Sequence, residues 1–311
     1  GVLRALGGVR PRWAPREPAV RAALVAVGPA IAGRGVYQLS AWLDLFLASW
    51  LAAGAIGALG LAQTLYVLPV SLFAMSVAAA ELPELARESD VGERFDRRIA
   101  GSLGRIAFLV VPSAVGYLAL GAAVVTLLFR SGAFGDDNVR LVSGVLAAYA
   151  AGLLPTTWSR LLQNAFFALG DTRSPARCAV LRLAVSAAVA VPAMAWLDRV
   201  AVPGDGLRWG AAGLAIGSAA GAWAELAALR VRLARRRPGL RLPWRRPGVH
   251  AALACAALVP AVAVWRGLGG LPPRLHGALA LAVFAGTYLA AAAALRVPEL
   301  AALVSRRGVT R

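Results

Sequence analysis

The sequence contains no lysine, and all 33 of its basic residues are arginine. It has only two histidines, two cysteines and 15 acidic residues in 311 positions, and each shortage excludes a class of chemistry. Cys178 and Cys255 are too few and too far apart for a disulfide framework or a CxxC metal site. Both stand in apolar runs and read as small core residues. His250 and His276 read as lying near opposite membrane faces, so no His pair, triad or His-based metal cluster can assemble. No acidic cluster lies beside them in a metal-ready arrangement, which disfavours a membrane transferase. The expectation is a protein that is not an enzyme. The first residues, GVLRALGGVRPRWAPREPAV, lack both an initiator Met and the apolar stretch of a signal peptide, so residues 1–21 read as a cytoplasmic linker that continues from a longer chain.

Apolar residues are abundant instead. At 59% of the chain, with a mean hydropathy of +0.67, they exceed what a water-facing surface tolerates and must face lipid. Runs long enough to cross a hydrocarbon core of ~30 Å lie near 22–51, 58–82, 99–129, 139–169, 176–197, 209–229, 249–265 and 275–295. The fold class expected is therefore an all-α integral membrane protein with about eight transmembrane helices. A net charge of +18 would suit nucleic acid, but its placement argues against that partner. The arginines gather in alternate gaps, after Glu81, near Arg173, along LARRRPGLRLPWRR and at both ends, as cytoplasmic loops do. The alternation predicts both termini on the cytoplasmic side of a bacterial inner membrane. The long arginine run suits anionic membrane lipid or plain loop charge equally. The stretch ELPELARESDVGERFDRR mixes both signs and reads as a solvated loop.

Charged side chains at mid-bilayer cost at least ~2.5 kcal/mol unless they face protein or water, so Arg34, Asp44, Arg160 and Glu225 attract attention. At ~100° per residue, Arg34, Tyr37, Gln38, Ser40 and Asp44 share one arc of the first helix. Val36, Leu39, Leu43, Phe46 and Leu47 take the other. Tyr149, Thr156, Arg160, Gln163 and Asn164 likewise share one side of the fourth. The functional reading is a hydrated cavity for an anionic group, with Arg34 and Arg160 as its charges. The structural reading pairs Arg34 with Asp44 and lets Arg160 bond carbonyls freed by Pro155. Glu225 reads as a helix-end ion pair. Prolines at 29, 69, 112, 155, 192 and 260 each remove a backbone hydrogen bond inside a span. No internal repeat is evident.

Four stretches in order, VGPAIAGRGVYQLSAWLDLFLASWLAAGAIGAL, LPVSLFAMSVAAAELPELA, LLFRSGAF and NAFFALGDTRSP, resemble the MurJ/MviN-type lipid II flippases of the multidrug/oligosaccharidyl-lipid/polysaccharide exporter superfamily. The resemblance implies the second half of such a flippase: a six-helix C-terminal transport lobe over 22–232, a basic cytoplasmic loop over 233–248, and two extra helices with a tail over 249–311. The family's first lobe would then precede Gly1 as a partner of this one. The substrate implied is a polyprenyl-pyrophosphate-linked glycan, the peptidoglycan precursor, moved from inner to outer leaflet for cell-wall synthesis. Arg34, Gln38, Gln63, Arg160, Gln163 and Asn164 would line its cavity. No cofactor is expected beyond a candidate sodium ion at Asp44, Ser186 and Ser218, where the resemblance places such a site, although one carboxylate and two hydroxyls make a sparse oxygen cage. Gln63 and Thr64 stand where many members carry an Asp/Asn–Arg pair, and Ser186 and Ala190 where some carry amide or acidic residues. Rival expectations are a drug/cation antiporter or another glycolipid flippase of the superfamily, or a non-transporting membrane scaffold.

Overall fold

A computed structural model describes residues 42–52, 54–75, 77, 81, 92–132, 134–204, 206–267 and 271–305. Arg34, Gln38 and most of the first expected span lie outside these described residues. The described chain is helical: α1 (42–48), α2 (Ala55–Pro69, continued as a π-helix over Val70–Met75), α3 (Gly92–Phe129), α4 (Asp136–Ala150), α5 (Leu153–Ala168), α6 (Arg173–Leu197), α7 (Gly210–Arg236), α8 (Arg245–Gly267), α9 (Pro273–Ala294) and α10 (Pro298–Ser305). Among the described residues six helices are long and apolar enough to cross a membrane, and α4 with α5, bent by 42°, passes the same test when taken as one broken span. The protein is an all-α, multi-pass membrane protein.

A turn separates α1 from α2, with Gly54 in the left-handed region at φ 87°. The expected single span 139–169 is instead two helices meeting at Ala151 and Gly152. Pro155 explains the break, because its ring nitrogen cannot donate to the carbonyl four residues back. That carbonyl, on Ala151, accepts from the indole Nε1–H of Trp223 on α7 at 3.0 Å.

The same device recurs twice. Pro69 leaves the Leu65 carbonyl without its helical donor, and the Tyr117 hydroxyl of α3 donates to it at 2.8 Å. Pro112 leaves the Phe108 carbonyl, and the Tyr288 hydroxyl of α9 donates to it at 2.8 Å. In a hydrocarbon core a backbone carbonyl freed by proline needs a protein partner, and a neighbouring helix supplies it here. Tyr288→Phe is therefore expected to lower stability by about 1 kcal/mol. The same change made on a Pro112→Ala background should cost clearly less, since an alanine at that position supplies its own N–H. Thermal unfolding of the detergent-solubilised protein checks both.

The helices pack around three apolar clusters. One joins Phe95, Ile99, Leu103 and Ile106 of α3 to Trp158, Leu161, Leu162 and Phe166 of α5 and Leu226, Leu229 and Leu233 of α7. A second joins Leu47 and Ala48 of α1, Leu59 and Leu65 of α2, Val145 and Leu146 of α4, Ala190 and Met194 of α6, and Ala211 to Ala215 of α7. The third fixes the terminal pair to the lobe, Phe108 and Leu120 of α3 against Ala254, Ala257 and Ala261 of α8 and Phe284 and Tyr288 of α9. Helices α6 and α7 approach closely because Gly213, Gly217 and Gly221 face α6 backbone: a Cβ at 213 would run into the Met194 nitrogen, and one at 217 would stand 2.7 Å from the Ala190 Cα.

Several expectations are corrected. Leu47 is buried on the same inward side as Asp44, because three residues along a helix returns to nearly the same face. Cys178 is buried as expected, but Cys255 is exposed on the surface of α8, where a small apolar thiol suits lipid. The mixed-charge stretch is not wholly a solvated loop. Gly92 to Arg98 form the first turns of α3, with Phe95 fully buried. Glu81 is buried between Arg98 at 2.8 Å and Arg105 at 2.5 Å, since an isolated carboxylate at that depth would be too costly without paired cations. The arginines at the end of α7 also fold back on the lobe: Arg237 pairs with Asp96 at 3.3 Å and Arg236 with Asp171 at 2.6 Å.

Candidate functional site

A belt of polar side chains crosses the lobe where the first two apolar clusters meet, and Tyr66 and Tyr117 pack against both. Its first half links α2 to the bent span. Gln63 Nε2 donates to the Tyr149 hydroxyl at 2.9 Å, and the Tyr66 hydroxyl donates to Thr156 Oγ1 at 2.7 Å. The two tyrosine rings lie 5.2 Å apart. Thr64 turns outward and returns its hydroxyl to the Gly60 carbonyl, so of that dipeptide only Gln63 serves the interior.

The second half centres on Glu225, which is fully buried on α7. Its Oε2 is 3.0 Å from Arg182 Nη1 of α6, and its Oε1 accepts from Gln163 Nε2 of α5 at 2.8 Å. The helix-end ion pair expected for Glu225 is thus replaced by a pair in the lobe's interior. Distance along the helix explains the difference. Glu225 lies about 16 Å from the end of α7 at Arg236, beyond reach of the arginine-rich loop. Arg182 stands about 14 Å into the antiparallel α6, at matching depth. Arg182 is 6% exposed, and sequence reasoning missed it beside Arg173 and Arg177 in the first turns of the same helix. The available signal was its depth: it is more than two turns inside an apolar helix, too far to snorkel to the surface without a partner.

Asp44 of α1 is buried and within electrostatic range of both Arg182 and Tyr149. Of the other expected cavity residues, Arg160, Gln163 and Asn164 are half-buried along one flank of α5, while Thr157, Trp158, Leu161, Leu162 and Ala165 on its remaining faces are fully packed. The Trp158 indole donates to the Leu103 carbonyl at 3.1 Å, which pins that packed face to α3. The structure therefore brings Gln63, Gln163 and, through Arg182, Asp44 into one belt, and sets Arg160 and Asn164 on its rim.

The candidate sodium ligands fit that ion poorly. Ser186 is buried one turn beyond Arg182, with its Cβ against Gly221, and Ser218 is half-buried on α7. Among the described residues no hydrogen bond joins either hydroxyl to Asp44. A hard cation takes several oxygens, whereas Asp44 already has a guanidinium within range and both oxygens of Glu225 are engaged. Among the described residues no group of three His, Cys, Asp or Glu side chains could hold a metal.

Outside the membrane, Asp171 of the DTRSP stretch accepts from the backbone N–H groups of Arg173 and Ser174 at 3.0 Å each. Partial burial works against its charge, but the Ser174 hydrogen bonds and the Arg236 guanidinium hold its carboxyl below the usual carboxylate range. It thus fixes the start of α6 to the end of α7, the two helices that carry the buried ion pair.

Residues 1–272 match the family described as "Lipid II flippase MurJ". The chain belongs to the MurJ family of lipid II flippases. It is 30% identical over 245 residues to a probable lipid II flippase MurJ of Bdellovibrio bacteriovorus, covering 78% of this chain and 45% of that protein. It is 28% identical over 223 residues to one of Vibrio cholerae, covering 71% of this chain and 40% of the relative. The chain thus spans less than half the length of these MurJ relatives. A solved structure titled "Lipid II flippase MurJ, inward closed conformation" superposes with a TM-score of 0.72 at 17% identity, over 95% of this chain and 58% of that one, so the MurJ fold is shared along nearly the whole length.

Proposed function

We propose that this chain is the second transport lobe and terminal helical pair of a flippase for the lipid-linked peptidoglycan precursor in a bacterial inner membrane, with both ends of the chain cytoplasmic. The observation that carries this reading is the polar flank of α5. Arg160, Gln163 and Asn164 lie half-buried along a membrane-depth helix whose other faces are packed, and a guanidinium there requires water, an anion or protein beside it. A cavity shared with a first lobe supplies such surroundings. A pyrophosphate supplies the anion, for which the planar guanidinium fork is suited.

The residues then divide their tasks. Arg34 and Arg160 hold the pyrophosphate, and Gln38, Gln63, Gln163 and Asn164 line its path. The Arg182–Glu225 pair and the tyrosine belt behind them keep α5 in place. The bend between α4 and α5, the π-helical end of α2 and the kink of α3 at Leu120 provide points where the lobe can flex as it rocks against its partner. No covalent step is required, and the protein acts without catalytic residues.

The test is a lipid flipping assay on full-length protein carrying Arg34→Gln and Arg160→Gln. Transport is expected to fall at least ~10-fold for the pair, a loss of about 1.4 kcal/mol or more of binding to the phosphates. Unchanged transport would remove both residues from the mechanism. Failure of the full-length wild type to support growth when the cell's flippase is depleted would favour the scaffold reading. Growth with a different polyprenyl-linked glycan would favour another flippase of the superfamily.

A further inference from the structure

Sodium is the cation that the family resemblance suggests for Asp44, and the residues around that carboxylate accommodate it poorly. We propose that the guanidinium of Arg182 is a built-in substitute for a bound metal cation, a fixed positive charge on α6 that pairs with α7, compensates the buried carboxylate of α1 and frees this lobe from any requirement for sodium.

Three observations support the assignment. The first is position. Arg182 enters the interior from α6 at the depth of Glu225 and meets it at 3.0 Å with almost no exposure on either side chain, 8% and 0%. Asp44, the acidic residue of the described part of α1, is buried within range of the same guanidinium. One cation thus pairs directly with the carboxylate of α7 and acts electrostatically, from beyond ion-pair distance, on the buried carboxylate of α1.

The second is the close approach of the backbones. Gly221 of α7 lies so near α6 that a Cβ there would be 2.7 Å from the Arg182 carbonyl oxygen and 3.0 Å from the Ser186 Cβ. The space beside Ser186, where a sodium would need further oxygen ligands, is filled by the neighbouring helix. The third is donor accounting. Glu225 has one oxygen on Arg182 and the other on Gln163. An additional cation beside Asp44 would have to approach the guanidinium, which repels it, without a carboxylate oxygen from α7 to compensate.

The inference concerns the lobe's own internal charge and stands apart from the identity of the transported lipid. Its test uses full-length protein in detergent, unfolded thermally in sodium chloride and in choline chloride at equal ionic strength, together with radioactive sodium binding. An ion that binds the native state raises the unfolding temperature by mass action. Wild type is expected to unfold at the same temperature in both salts and to show no saturable sodium binding. Arg182→Lys, which keeps the charge, is expected to unfold closer to wild type than Arg182→Gln, which keeps much of the shape without it.

Saturable sodium binding by wild type, or a rise of its unfolding temperature in sodium alone, would overturn the proposal. Equal destabilisation by the Lys and Gln replacements would also overturn it, because charge would then not be what Arg182 contributes. If Arg182→Gln fails to accumulate, the two-salt comparison on wild type and on the Lys variant still decides. Neither readout involves flipping, so an inactive substrate assay and a failed charge substitution remain distinguishable.

Discussion

Full-length protein carrying Arg182→Met is expected to lose about 3–5 kcal/mol of stability, the cost of leaving a buried charge without its partner. The physical reason is the asymmetry of buried ion pairs. Making the pair gains little over two apolar residues of the same shape, because both ions must first leave water. Breaking it strands the survivor in a medium that cannot solvate it. Here the survivors of Arg182→Met are Glu225, which among the described residues keeps the Gln163 amide, and Asp44, which loses the compensating charge of Arg182.

Glu225→Leu should cost less than Arg182→Met, since the guanidinium it leaves behind still has Asp44. The double variant Arg182→Met with Glu225→Leu should recover most of the loss from either single change, giving a large coupling energy. Chemical or thermal unfolding of the four proteins measures the cycle. Additive losses would show that the two side chains do not act as a pair.

Gly217→Leu is the second large effect. At this position a Cβ alone would lie 2.5 Å from the Ala190 Cβ and 2.7 Å from the Ala190 Cα and nitrogen, so backbone rather than a flexible side chain is what it meets. Membrane helices associate through such close contacts because lipid offers no hydrophobic drive to hold them. Forcing α6 and α7 apart would forfeit the dispersion along Gly213, Gly217 and Gly221 and lengthen the Arg182–Glu225 contact. The expected outcome exceeds the ~1–3 kcal/mol usual for overpacking, with little folded protein recovered after solubilisation. Gly57→Leu on α2, where a Cβ meets nothing within 4 Å, is the control that should accumulate normally. Comparable recovery of the two would mean that the α6–α7 seam tolerates separation.

The legibility of the site varied with the kind of signal. Arg160, Gln163, Asn164 and Thr156 were readable as one stripe because helical periodicity is local and α5 is a regular helix. Tyr149 belongs to the same belt but reaches it from the far side of the bend, where its partner is Gln63. Glu225 was visible as a charge at membrane depth, yet its partner lay 43 residues away in sequence on another helix. The donors to the proline-freed carbonyls were hidden for the same reason: Tyr288 reaches across 180 residues to the Phe108 carbonyl, and no local pattern in either helix points to the other.

By itself, the sequence determined that the chain lives in a membrane, where most of its described apolar helices fall, which residues are too polar for lipid, and which family its ordered motifs resemble. Those properties follow from composition, from the length of apolar runs and from the pitch of a helix, all of which act within a few turns of chain. Only the tertiary structure decided which helix answers each internal charge, which side chain caps each orphaned carbonyl and how far α6 and α7 can close. Those choices depend on depth and distance between helices remote in sequence, and in a medium without water each polar group is held by whichever neighbour packing brings to it.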